Sequence, residues 1–192
     1  QGERNDIKEW INTLKTRNLS FIEMCDEFPV QMVKFHRFYD RYRIELFNSN
    51  MDMSRKRKWV ATIFGCTGCG KTRHVYENNE MKDIYAVECG TGSNIWFEHY
   101  LGQKVVIFDD FRGSLPISTM LRIIDRGPHY VQLKGQPHIF FNPEKIYFTS
   151  NCHPWDWYKN CTVESRNALM RRMTAGVIEM KMGQRFKEIE LT

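Results

Sequence analysis

Nowhere in the 192 residues does an apolar run approach the roughly 18 that a membrane-spanning helix requires, so a soluble protein with no membrane partner is expected. A secretory leader is missing too. The chain opens Gln1-Gly2-Glu3-Arg4 without an initiator Met, which reads as a piece of something longer. Cysteines are present at 25, 66, 69, 89, 152 and 161 but lack the paired spacing of a disulfide framework, which points to a reducing intracellular compartment. Cys66-x-x-Cys69 lacks the second pair that a zinc site needs, and chelation would distort the glycine-rich loop that contains it. Internal repeats and low-complexity segments are absent. Hydrophobic residues at 42% and charged residues at 27% are ordinary globular values, and the length suits one α/β domain with a small accessory module. The net charge of +5 permits contact with a polyanion without demanding it.

Residues 6 to about 47 read as helical. Asp6-x-x-Glu9 and Ser20-x-x-Glu23 are capping-box patterns that mark two helix starts. Ile7, Trp10, Ile11 and Leu14 form one apolar stripe; Val30, Val33, Phe38, Tyr42 and Leu46 form a second after Pro29. Such a bundle serves as a lid on a core or as an oligomerisation module, and both uses need a buried stripe. The polar stretch Asn48 to Ser54 reads as a linker, so the first domain is placed at 1–54 and the second at 55–192. Arg55-Lys56-Arg57-Lys58 then touches nucleic acid or is simply solvated. From Trp59 strands alternate with helices. Strands are expected at 59–64, 84–87, 105–108 and 146–149, in a mostly parallel sheet covered on both faces.

Three strand ends carry chemistry. Gly65-Cys66-Thr67-Gly68-Cys69-Gly70-Lys71-Thr72 follows the first strand and precedes a helix, the setting of a P-loop. Its backbone N–H groups can surround phosphate oxygens, Lys71 can neutralise them, and the Thr72 hydroxyl can ligate Mg²⁺. Val105-Val106-Ile107-Phe108 delivers Asp109 and Asp110 to the same end of the sheet; Asp109 is assigned to the metal and Asp110 to the attacking water. Ile146-Tyr147-Phe148-Thr149-Ser150 delivers Asn151, which can hydrogen-bond both phosphate and water without adding a repelling charge.

In this order and close spacing, these motifs resemble the superfamily 3 helicases of small DNA viruses. More narrowly, the chain resembles the replication initiators of circoviruses and related circular single-stranded DNA viruses. Leu133-Lys134-Gly135 and Arg171-Arg172 add to the likeness, which spans nearly the whole chain. It implies an AAA+-like P-loop ATPase preceded by a helical oligomerisation module, with ATP and Mg²⁺ as cofactors. It also implies a homo-oligomeric, hexameric ring on single-stranded DNA, 3′ to 5′ movement and the host nucleus as workplace. Lys134, at a hairpin tip, then becomes the first choice for DNA contact and His138 the second; Arg171 or Arg172 matches the arginine that reaches a neighbour's γ-phosphate. The family's nicking domain uses a His-hydrophobe-His motif and a Tyr followed by Lys three residues on, and neither pattern occurs here. An ATP-binding assembly module that does not unwind DNA is the alternative, and a small-molecule kinase a more distant one.

Overall fold

Helix starts and stops in the first part of the chain follow local chemistry. The computed structural model describes residues 5–17, 19–88 and 95–183. These fall into two compact units, Gln1–Met51 with Gly135–Ile139, and Asp52–Lys134 with Phe140–Thr192.

In the first unit, α1 (Asn5–Thr16), α2 (Phe21–Glu27) and α3 (Pro29–Ser49) surround a core of Trp10, Met24, Phe28, Met32 and Tyr39. Ser20 caps α2 reciprocally: its Oγ accepts the Glu23 N–H at 3.3 Å while Glu23 Oε2 accepts the Ser20 N–H at 2.7 Å. Such a cap stabilises a helix by about 1 kcal/mol. The Asp6 pattern is different, because α1 already includes Asn5 and Asp6 lies within its first turn, where a carboxylate suits the helix dipole. The expected stripe on α3 is also corrected. Phe35 leaves helical geometry at φ −125°, ψ 25°. Val30, Val33 and Phe38 are exposed, and Met32, Tyr39 and Ile44 are buried instead.

The second unit is built on five parallel strands in the order β2 (Ile84–Val87), β3 (Val105–Phe108), β6 (Lys145–Ser150), β1 (Trp59–Phe64), β7 (Gly176–Glu179). All four residues of β3 and five of the six in β6 are buried, as continuous apolar runs in a parallel sheet require. Helices α4 (Lys71–Glu77), α5 (Ile117–Ile123) and α6 (Val163–Arg172) follow β1, β3 and β6. The hairpin β4 (His129–Val131) and β5 (Ile139–Phe141) forms a separate two-stranded ribbon.

The basic run before β1 is neither a uniform linker nor wholly solvated. Lys56 pairs with Asp52 at 2.8 Å, whereas Lys58 is only 4% exposed. Lys58 Nζ donates to Ile123 O at 3.1 Å and lies 3.4 Å from Nδ1 of His129, the first residue of β4. Burial brings the Lys58 ammonium down to about 8, with Asp125 opposing the shift. Burial also holds His129 down at about 3, helped by the positive charges of Lys58 and Arg122 and opposed by Asp125.

The unfolded chain therefore takes up a proton near the ordinary histidine value that the folded chain refuses until about pH 3, so folding weakens as pH falls through that window. Replacing His129 with Gln, which can still accept from Lys58 but does not titrate, should flatten the loss of stability between neutral pH and about pH 4. Urea unfolding across this range measures the slope. Equal slopes in parent and variant would contradict the assignment.

Candidate nucleotide site

Parallel register aligns the chemistry. Phe64 on β1 pairs with Ser150 on β6, and Phe108 on β3 pairs with Phe148. Gly65 therefore stands level with Asn151, and Asp109 with Thr149, on strands spaced about 4.8 Å apart. Three chain segments far apart in sequence thus meet at the carboxyl edge of one sheet, where open α/β folds place their ligands.

The loop from Gly65 to Gly70 turns back on itself. Gly65 has φ +154°, and a Cβ there would lie 2.2 Å from Met180 O, so no other residue fits without moving β7's continuation. Lys71 opens α4 and is only 8% exposed. Its ammonium has three N–H donors, and it meets Gly65 O at 3.0 Å, Cys66 O at 2.9 Å and Asn151 Oδ1 at 3.0 Å. Cys66 is exposed and Cys69 buried, and the Cys69 sulfur lies 3.9 Å from Lys71 Nζ. Among the described residues no three His, Cys, Asp or Glu side chains gather into a metal-binding cluster.

Asn151 faces two opposite charges. Its Oδ1 accepts from Lys71 while its Nδ2 donates to Asp110 Oδ1 at 3.0 Å. That network sets the orientation of the amide, because the reverse would turn the NH₂ toward the ammonium. Asp109 Oδ1 accepts from Thr72 Oγ1 at 2.7 Å and from Thr149 Oγ1. Thr72 and Asp109 therefore present two adjacent oxygens, suited to a Mg²⁺ ion that phosphate and water would complete.

Two contributors were missed in the sequence. Thr149, only 1% exposed, donates to Asp109, accepts the Asp110 N–H at 2.9 Å, and through its carbonyl accepts the Phe111 N–H at 2.8 Å. It holds Asp110 at φ +45°, a left-handed conformation that few non-glycine residues adopt. Arg112 closes on Asp110, its Nη2 lying 2.9 Å from Oδ2 and 3.2 Å from Oδ1. A basic residue two positions beyond the acidic pair was the only signal for Arg112. Thr149's role depends on strand register and had none.

Other expected residues lie elsewhere. Lys134 and Gly135 form the exposed turn of the hairpin, with Gly135 at φ +69°; His138, also exposed, precedes β5. Within the first unit the His138 carbonyl accepts from Asn48 Nδ2 at 3.0 Å. Arg171 and Arg172 end α6, which is tied to the start of β1: Thr174 Oγ1 donates to Lys58 O at 2.7 Å and accepts the Val60 N–H at 2.9 Å. The P-loop lies beyond the other end of β1, about 20 Å away at about 3.3 Å per strand residue. An arginine side chain does not span that distance.

A glycine-rich loop at a β1–α4 junction, an acidic pair on the strand next but one and an asparagine on the strand between define a P-loop protein of the superfamily 3 helicase class. The family described as RNA helicase matches residues 61–152. The replication-associated protein of Porcine circovirus 1 is 33% identical over 98% of this chain and 58% of its own length. That of Porcine circovirus 2 is 33% identical over 91% of this chain and 54% of its own, and that of Beak and feather disease virus 36% identical over 71% and 44%. The chain belongs with the superfamily 3 helicase domains of circovirus-type replication-associated proteins. It spans a little over half the length of the porcine relatives. No helix among the described residues is long and apolar enough to cross a membrane.

Replacing Thr149 with the near-isosteric Val leaves the part-buried Asp110 N–H without its acceptor. Such a loss destabilises by about 1 kcal/mol, readable as a lowered urea midpoint. A midpoint equal to the parent's would mean that Thr149 does not hold the acidic turn.

Proposed function

We propose that this chain is the ATP-driven motor of a viral replication initiator: a superfamily 3 helicase domain that assembles as a hexameric ring and moves along single-stranded DNA. The observation that carries the reading is the bridge Lys71–Asn151–Asp110, which joins a phosphate-binding cation to a water-activating carboxylate through one neutral amide.

Lys71 exchanges its carbonyl and amide partners for phosphate oxygens, and the backbone N–H groups of residues 65–72 add further donors. Thr72 and Asp109 would hold Mg²⁺, which supplies the positive charge that offsets negative charge building on the transferring phosphoryl group. Asp110 accepts the proton of the attacking water, and Asn151 orients that water. Arg112 must release Asp110 for this to happen.

The arginine that completes the site comes from a neighbouring subunit. Distance along β1 keeps the end of α6 from its own P-loop, and of the two arginines there Arg172 is engaged with Asp125 whereas Arg171 is exposed. Arg171 is therefore the trans-acting residue. Lys134 at the hairpin turn contacts the strand's phosphates, with His138 as the second contact, and the helical unit serves ring assembly. Work in the host nucleus belongs to the same reading. The family description names RNA as a second track, so both strands belong in the test.

Purified, assembled protein at low salt should hydrolyse ATP faster with single-stranded DNA than with RNA or none, and should separate a DNA duplex. Lys71→Ala should abolish ATP binding, Asp110→Asn should slow hydrolysis about 100-fold or more with binding retained, and Lys134→Ala should remove the DNA stimulation alone. ATP binding with neither DNA stimulation nor strand separation would return the chain to an assembly module, and stimulation by RNA alone would change the track.

A further inference from the structure

Beyond the two sites of the proposed motor, the structure contains a charged contact between the end of α6 and the segment that leads into the hairpin. Arg172, next to the trans-acting Arg171, directs Nη1 to Ala168 O at 3.0 Å within its own helix and Nε to Asp125 Oδ1 at 3.4 Å. The second contact is an ion pair rather than a well-aligned hydrogen bond. Asp125 stands just past the end of α5, where its N–H donates to Arg122 O at 3.3 Å. Only Arg126, Gly127 and Pro128 separate it from His129, the root of the Lys134 hairpin.

That short segment has little room to move independently. The Gly127 N–H donates to Lys56 O at 3.0 Å, and a Cβ on Gly127, which has φ +76°, would come within 3.1 Å of Arg55 Cα. At its far end, His129 faces the buried Lys58. Arg57 Nη2 approaches Arg171 O at 3.5 Å, so the same basic run touches both the arginine pair and the hairpin root. A displacement of the α6 end that carries Arg171 and Arg172 would therefore move Asp125 or break its ion pair.

We propose that the Asp125–Arg172 ion pair couples the trans-acting arginine to the DNA hairpin, with Asp125 as a positioning residue that touches neither nucleotide nor DNA. The proposal rests on the motor reading above. In it Arg172 is retained for its bond to Asp125 and Arg171 for the neighbour's phosphate, so the two adjacent arginines have separate tasks. Partial burial alone would push the Asp125 carboxyl up, but the Arg126 N–H and the Arg172 guanidinium more than reverse this and hold it below the usual carboxylate range. The charge the link requires is thus present at neutral pH.

The test compares basal ATP hydrolysis, hydrolysis with saturating single-stranded DNA, and strand separation in the assembled 192-residue chain. Asp125→Asn should leave the basal rate unchanged and lower DNA stimulation and strand separation by about fivefold or more. Arg171→Ala should lose basal hydrolysis, which separates the two tasks. In a charge-exchange cycle, Asp125→Arg and Arg172→Asp should each lose stimulation and the double variant should recover much of it. Recovery excludes a simple loss of folding as the cause. Stimulation that survives Asp125→Asn, or single effects that merely add in the double variant, would overturn the coupling and leave the motor reading standing. No stimulation in the parent chain would overturn both.

Discussion

A nearly buried ammonium group has to be satisfied, and the way Lys71 is satisfied organises the site around it. Its three donors take two loop carbonyls and the Asn151 amide oxygen, so the P-loop is held in its curved form by the residue proposed to meet phosphate. The carbonyl bonds hold the loop against α4, and the amide bond ties it to β6. Because Asn151 passes its other end to Asp110, the position of one cation sets that of a carboxylate on a third strand. Leaving such an ammonium unpaired would be costly in a low-dielectric setting, which makes phosphate entry an exchange of partners.

The acidic turn depends on a different constraint. Asp109 and Asp110 are consecutive, yet one faces Thr72 and the other faces Asn151 and Arg112. A regular strand would also send them to opposite sides, but the left-handed Asp110 keeps both at the sheet edge. Thr149 makes that geometry tolerable by bonding the carboxylate before the turn and the N–H within it. The strain sits where the proposed chemistry occurs, beside a rigid aromatic layer in which Phe108 stacks on Phe148 at 4.8 Å.

Much of this was legible in the amino-acid order because the signals were local. The P-loop declares itself by glycine spacing, β1, β2, β3 and β6 by apolar runs, and α2 by the Ser20 capping box. Features that depend on tertiary partners were not legible. Lys58 reads as one more cation in a basic run, since Ile123 and His129 lie 65 and 71 residues away along the chain. The α3 stripe failed because Met32, Tyr39 and Ile44 are buried in place of Val30, Val33 and Phe38, and a break at Phe35 that no proline or glycine marks interrupts the helix. Arg171 and Arg172 look equivalent in sequence, and the Asp125 contact together with the greater exposure of Arg171 tells them apart.

The central claim is that the nucleotide site is shared, with Lys71 from one subunit and Arg171 from the next. The direct measurement is ATP hydrolysis by rings assembled from mixtures of Lys71→Ala and Arg171→Ala chains, each inactive alone. If the arginine acts across subunits, mixing should create some sites with both wild-type residues, and hydrolysis should rise above that of either parent with a maximum near equal proportions. A mixture that stays at the level of its inactive components, with mixed assembly verified, would contradict a shared site.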